Sequence, residues 1–261
     1  MLLDKKNAVI YGGGGAIGAA VARAFASEGA SVFLAGRTLA SVEAVAKQIS
    51  LAGGAAQASS VDARDQRAVA EHLDAVAERS GSIDVSFNAT GIGWDLGAPV
   101  VDMPLDDFVV PIADGMRTHV VTATAAARHM IGQRSGVILA ITATPARKPI
   151  PLVGNFGVGC AAIEALCRQL ALELGPHGIR VVCMRSAGSP DSPGVDRVND
   201  FLAQKAGVSR ETFDVSRVES TLLKRLPMLA EVASAAVLMA SDRASAITGA
   251  VANVTCGEIA D

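Results

Sequence analysis

The sequence predicts an α/β fold: a single domain built on a doubly wound parallel sheet of about seven strands, with helices on both faces. Two observations carry this. From residue 7 to about 186, short β-rich apolar runs alternate with longer helical patterns, the rhythm of repeated βαβ units around a buried parallel sheet. The 261 residues are half apolar, which suffices for one large, well-buried core.

The first strand is expected near 7–12. It runs into Tyr11-Gly12-Gly13-Gly14-Gly15-Ala16-Ile17-Gly18, and a helix from Ala16 to Ser27 starts at once. Further strands are expected near 31–35, 55–60, 84–89, 136–142, 179–185 and 250–255. Ala-rich helical patterns lie between them, at Ser41 to Leu51, Asp65 to Ser80, Val120 to Gly132 and Phe156 to Gly175. Between about 188 and 226 the rhythm breaks. Pro190, Pro193 and Gly194 open an insertion that carries weakly amphipathic stretches at Arg197 to Ala206 and Glu211 to Leu223. Ligands of open α/β sheets sit beyond the carboxyl ends of the strands, so this insertion is either a lid over a ligand or a pair of ordinary packing helices.

Composition narrows the function. The chain has 23 basic and 26 acidic residues, a formal charge of −3, and no basic block, so nucleic acid is not an expected partner. Its apolar runs are broken too early to span a bilayer, and the start lacks the pattern of an export signal. The four cysteines, Cys160, Cys167, Cys183 and Cys256, have neither Cys-x-x-Cys spacing nor a histidine cluster nearby. No metal site or disulfide framework is expected, and the chain reads as a reduced, cytoplasmic protein with a small-molecule substrate.

The glycine string is the strongest local signal. Glycines let the backbone turn tightly and approach a pyrophosphate, and the amides at a helix start favour negative charge. Placed between the first strand and first helix of a βαβ chain, Gly12, Gly14, Gly15, Ile17 and Gly18 read as a Rossmann-type dinucleotide cradle.

The spacing resembles the Thr-Gly-x-x-x-Gly-x-Gly fingerprint of the short-chain dehydrogenase/reductase family. Gly12 and Gly18 fall on family glycines, Tyr11 replaces the threonine and Ala16 the middle glycine. Asn88-Ala89-Thr90-Gly91 is similar to the family's Asn-Asn-Ala-Gly, and Ile247-Thr248-Gly249 to its closing motif. The likeness covers nearly the whole chain. It implies that Asp62 and Ala63 meet the adenine, that Asn88, Ala89 and Gly91 line the cofactor, and that Ser186 or Ser189 contacts the nicotinamide amide. It also implies a homotetramer or homodimer formed through the helices on either side of the fifth strand, where Ala123, Ala125, Ala126, Ala161, Ala162 and Ala165 would allow close approach.

Gly36-Arg37-Thr38 follows the second strand. An acidic residue there would bind a free ribose 2′-hydroxyl, whereas an arginine can pair with a 2′-phosphate. Arg37 therefore predicts NADP(H) over NAD(H), as the resemblance also implies, although a second basic residue in the glycine loop is absent.

The resemblance also locates a loss. In register with the family, Ala143 stands at its catalytic serine, Phe156 at its tyrosine, Cys160 at its lysine and Gly115 at its asparagine, with Asp114 one residue away. Phenylalanine keeps a ring and loses the proton, and cysteine is too short to reach as lysine does. Four residues are candidate replacements: Thr142 and Thr144, which strand alternation sends away from Ala143; His119, one turn after Gly115; and Cys160, whose thiol lies near a helix start. Arg147 and Lys148 could draw an acidic substrate, or be solvated loop charges. Two functions follow. One is an NADP(H) oxidoreductase moving hydride by a nonstandard proton route, to an activated alkene, iminium ion or quinone. The other is a catalytically silent NADP(H)-binding sensor or scaffold.

Overall fold

A computed structural model describes residues 1–93 and 97–260. Seven parallel strands form one sheet in the order β3-β2-β1-β4-β5-β6-β7. They are β1 (Asn7–Tyr11), β2 (Ser31–Gly36), β3 (Ala55–Ser60), β4 (Val85–Asn88), β5 (Gly136–Ala143), β6 (Ile179–Ser186) and β7 (Val251–Val254). Each lies within a residue or two of its sequence expectation, because apolar runs bounded by glycine and polar residues define a buried parallel strand well.

The helices are α1 (Ala16–Ser27), α2 (Leu39–Leu51), α3 (Gln66–Ser80), α4 (Leu105–Gln133), α5 (Phe156–Leu174), α6 (Val195–Lys205), α7 (Arg210–Glu219) and α8 (Leu229–Ala240). They cover both faces, and the strands alternate between the two layers. Val9 and Tyr11 pack with α3, α4 and α5, while Ala8 and Ile10 pack with α1 and α8. The strand order reverses between β1 and β4, which opens a crevice above their carboxyl ends.

One helix departs from expectation. α4 begins at Leu105, well before Val120, and runs through Pro111. A proline inside a helix leaves the carbonyl four residues earlier without its amide, which is why the sequence points to a later start. Here the deserted carbonyl, Asp107 O, accepts from Asn155 Nδ2 at 2.8 Å, so the helix continues.

The insertion forms α6 and α7. Arg210 joins them, with Nε 2.7 Å from Asp214 Oδ2, Nη1 2.7 Å from Asp200 Oδ1 and Nη2 2.8 Å from Asp196 Oδ1. Beyond α7, Leu222 N and Leu223 N donate to Gly257 O and Cys256 O at 3.3 and 3.0 Å, tying the segment to the carboxyl-terminal tail. Gly257 has φ 81°, and a Cβ on it would lie 2.6 Å from Leu222 Cβ, so glycine is required for this contact. Among the described residues no helix is long and apolar enough to cross a membrane, and no group of three or more His, Cys, Asp or Glu could hold a metal ion.

Candidate active site

The loop after β1 owes its shape to its glycines. Gly12 takes φ 74°, and a Cβ there would sit 2.8 Å from Ala89 O. A Cβ on Gly14 would meet Ser41 Cβ at 2.7 Å, and one on Gly18 would run into Gly12 O. The loop can therefore lie flat against the ends of β4 and α2 only without side chains. Gly15 caps α1 with no side-chain hydrogen bond, and the first turn carries no acidic residue, so the amides at the helix start face the crevice unneutralised. This arrangement fits a pyrophosphate.

A cleft of about 500 Å³ opens over these amides. Gly12, Gly14 and Gly15 form one wall with Arg37 at the end of β2, and Asp62, Ala63, Ala89 and Gly91 form the other. The remaining expected cofactor residues lie apart from this lining. Gly18 packs beneath the loop, and Ile17 packs into the α1 layer. Asn88 is buried: its Oδ1 accepts from Thr90 N at 2.8 Å and its Nδ2 donates to Thr122 Oγ1 at 3.0 Å, so it braces the turn from below. Ser186 Oγ donates to Ala187 O at 2.8 Å, inside its own loop, and Ser189 is buried.

The charges at one end of the cleft cancel. Arg64 forks Asp62, with Nε 3.2 Å from Oδ1 and Nη2 2.9 Å from Oδ2, and reaches Asp114 Oδ2 through Nη1 at 3.2 Å. This hydrogen-bonded guanidinium holds the Asp62 carboxyl below the usual carboxylate range, against the smaller opposing effect of its burial. Arg37 and Arg64 thus stand against Asp62 and Asp114, and the lining carries no net formal charge.

The positions in register with the family's serine, tyrosine and lysine lie outside this lining and are apolar. Ala143 closes β5, and a short 3-10 turn, Thr144–Ala146, follows immediately. Phe156 opens α5 and packs with Ala143 and Ala146 against the α4 and α5 layer. Cys160 is 2% exposed, and burial pushes its thiol up to about 12 although a backbone hydrogen bond from Ala143 acts the other way. It is therefore a neutral packing thiol, and the helix start does not make it a thiolate. Gly115 and Gly159 both press on Ile92: a Cβ on either would lie 2.8 Å from its Cγ1 or 2.7 Å from its Cδ1.

The other candidates are also turned inward. Thr142 points to the α5 side of the sheet, where Oγ1 donates to Glu164 Oε1 at 3.1 Å and Met184 O at 3.3 Å. Thr144 is buried, and its carbonyl accepts from Arg147 N and Lys148 N at 3.0 and 2.9 Å. His119 is 3% exposed and donates through Nδ1 to Gly115 O at 2.9 Å, so its lone pair is on Nε2. Burial pushes its pKa down to about 4, so it is neutral at pH 7. Arg147 is exposed, and Lys148 Nζ lies 3.7 Å from Glu258 Oε1.

Sequence reasoning missed two groups. Arg185 and Glu164 form a forked ion pair, Nε to Oε1 at 2.8 Å and Nη2 to Oε2 at 2.9 Å, both side chains 5% exposed or less. The signal was a charge inside each of two apolar runs, one in β6 and one on the buried face of α5, one turn after Cys160. The second group is a hydroxyl pair in the cleft, Thr90 Oγ1 and Thr118 Oγ1, 2.9 Å apart. Thr118 lies one turn into α4 from Asp114, a position that could be read once the helix start was known.

A sequence model of the family described as enoyl-(acyl carrier protein) reductase matches residues 14–258. The short-chain reductase protein NovJ of Streptomyces niveus is 31% identical over 255 residues, covering 96% of this chain and 92% of that protein. The chain is a short-chain dehydrogenase/reductase. It is also 28% identical to 7alpha-hydroxysteroid dehydrogenase of Escherichia coli strain K12, with 98% of this chain and 95% of the relative covered. Among solved structures, NAD+-bound xylitol dehydrogenase superposes with a TM-score of 0.92 at 26% identity, covering 98% of this chain and all of that one.

That relative corrects the expected coenzyme. A structure of this family superposing over nearly the full length of this short-chain dehydrogenase/reductase holds NAD+, so Arg37 does not assign NADP(H). The charge balance supplies the physical reason. Arg37 is exposed, and two carboxylates among the lining charges offset it and Arg64, whereas a 2′-phosphate needs a surplus of positive charge.

Proposed function

We propose that this short-chain dehydrogenase/reductase is an oxidoreductase that holds NAD(H) over the glycine loop and handles the substrate proton without the family's tyrosine and lysine. One observation carries the reading: a glycine-walled cleft of about 500 Å³ is present, while positions 143, 156 and 160, in register with the family's serine, tyrosine and lysine, hold a methyl group, a phenyl ring and a buried thiol. NAD(H), when bound, supplies or accepts the hydride. The α1 amides and the backbone of Gly12, Gly14 and Gly15 would hold its pyrophosphate, Asp62 and Ala63 its adenine end, and Ser186 or Ser189 its nicotinamide end. Phe156 has no proton to give. A substrate that needs no side-chain acid suits such a corner, and among activated alkenes, iminium ions and quinones the first is nearest in chemistry to the matched family's description, an enoyl reductase.

Residues 188–226 would fold over the substrate as a lid. Copies would pair through α4 and α5, where Val120, Ile131, Val158 and Leu172 are exposed. All four cysteines are free thiols, which suits a reducing cytoplasm.

A second reading, a silent NAD(H)-binding sensor or scaffold, draws on a different observation: Thr142, Thr144, His119 and Cys160 are all buried. Fluorescence titration with NADH, followed by ketones, imines, enones and quinones with absorbance at the nicotinamide band, separates the two. Oxidation of NADH by an enone, imine or quinone supports the enzyme. Tight binding without oxidation by any acceptor supports the silent reading, and rapid turnover of simple ketones would show that a proton donor has been missed.

A further inference from the structure

A second cavity, of about 10 Å³, lies inside the molecule between the sheet and the layer of α4 and α5. Ser86 and Asn88, alternate residues of β4, line it from the sheet, and His119 and Thr122 line it from α4. All four are buried polar residues in a wall that is otherwise aliphatic apart from Cys167. Three of their groups have no hydrogen-bond partner among the described residues. His119 Nδ1 donates to Gly115 O at 2.9 Å, which leaves the lone pair of buried Nε2 unmatched. Asn88 Nδ2 spends one hydrogen on Thr122 Oγ1 at 3.0 Å and has a second to give. The Ser86 hydroxyl makes no bond at all. One acceptor, one donor and one hydroxyl thus border the same small space, and burying them unpaired is costly.

We infer that this cavity is a site for one water molecule, which accepts from Asn88 Nδ2 and Ser86 Oγ, donates to His119 Nε2, and thereby positions the turn that walls the coenzyme cleft. Its volume is close to the smallest that takes a single water, and three bonds are what a buried water commonly makes. The link to the cleft runs through Asn88. Its Oδ1 accepts from Thr90 N at 2.8 Å and from Thr90 Oγ1 at 2.6 Å, while Ala89 and Thr90 line the cleft. Gly12 is packed so close to this turn that a Cβ on it would lie 2.8 Å from Ala89 O. A water that fixes Asn88 from below therefore fixes the seat of the glycine loop. The water site stands by itself; its effect on binding rests on the NAD(H) reading.

The test combines high-resolution crystals of the full chain, nitrogen-15 NMR of its histidines at neutral pH, and NADH titration. The wild type should show one solvent peak within hydrogen-bond distance of Ser86 Oγ, Asn88 Nδ2 and His119 Nε2. The His119 Nε2 resonance should be displaced from that of a free imine nitrogen, as for a nitrogen accepting a hydrogen bond. A dry cavity, a free Nε2 resonance, or a proton on Nε2 overturns the site. Ser86→Val puts methyl groups where the water lies, so it should remove the peak, return Nε2 to the free position and weaken NADH binding by about fivefold. Ser86→Ala leaves the water two partners and should keep most of the affinity. Unchanged NADH affinity in Ser86→Val once the peak is gone, or an equal loss in Ser86→Ala with the peak retained, overturns the positioning role. If Ser86→Val does not fold, Ala123→Val fills the cavity from α4 and is read in the same way. A wild type that holds the water but fails to bind NADH would overturn the NAD(H) reading and the positioning role, and leave the water site in place.

Discussion

Asn155 Nδ2 donates to Asp107 O at 2.8 Å, filling the carbonyl that Pro111, four residues later in α4, has no amide to reach. Asn155 is fully buried and is the residue immediately before Phe156, the first residue of α5. One side chain therefore repairs the proline break in α4 and pins the start of the helix that carries Phe156 and Cys160.

Removing that amide should be costly. Asn155→Ala leaves a part-buried helix carbonyl without its protein partner, and a hydrogen bond of this kind typically contributes about 0.5–1.5 kcal/mol. For a domain of this size the thermal midpoint should fall by about 2–4 °C for each kcal/mol. Differential scanning calorimetry checks this; an unchanged midpoint would mean that water or another donor takes over Asp107 O.

The buried pair of Glu164 and Arg185 should behave asymmetrically. Replacing only one partner, as in Glu164→Leu or Arg185→Met, strands a charge in the core and should cost about 3–5 kcal/mol. The double variant should recover much of that loss, because both desolvation penalties vanish together. Urea unfolding of the two single variants and the double variant gives the answer. Strictly additive losses would show that the pair is not coupled as the geometry implies.

His119 gives the stability a pH dependence. Its pKa is near 4 in the folded chain because of burial, against about 6.5 for an unperturbed histidine. Between these values the unfolded chain binds the proton and the folded chain does not. The histidine's contribution is thus complete above about pH 6.5 and is lost as pH falls towards 4, by an amount on the order of 3 kcal/mol. Urea midpoints at pH 7.5 and 4.5 should therefore differ more in the wild type than in a His119→Gln variant. Equal differences in the two proteins would remove His119 as the cause.

Restoring the missing donors tests the catalytic corner directly. If Phe156 and Cys160 stand where the family places tyrosine and lysine, the triple variant Ala143→Ser, Phe156→Tyr, Cys160→Lys should turn over a simple ketone at least about 10²-fold faster than the wild type. Cys160 is buried and pressed close to Ala143, so circular dichroism must first show that the variant is folded. A folded variant that still binds NADH and gains no ketone turnover would place the chemistry elsewhere.

Local signals were enough for most of the fold. Runs such as Val9-Ile10-Tyr11 and Val181-Val182-Cys183 read as buried strands because sheet burial is written into consecutive residues, and the glycine string marked its loop because only glycine tolerates the contacts made by Gly12 and Gly14. The start of α4 was hidden because Pro111 is a local stop signal, and the donor that overrides it, Asn155, lies 48 residues along the chain from the carbonyl it fills, that of Asp107.

The same division runs through the site. The sequence by itself determined that this chain has a dinucleotide-type loop and that positions 143, 156 and 160 hold no phenol and no ammonium, because residue identity alone fixes which groups can give a proton. Only the tertiary structure decided that Thr142, His119 and Cys160 are turned inward, that Glu164 finds Arg185, and that the positive charge of Arg37 is offset across the cleft. Burial and charge balance depend on partners brought together from distant segments, and such encounters are set by how the layers pack.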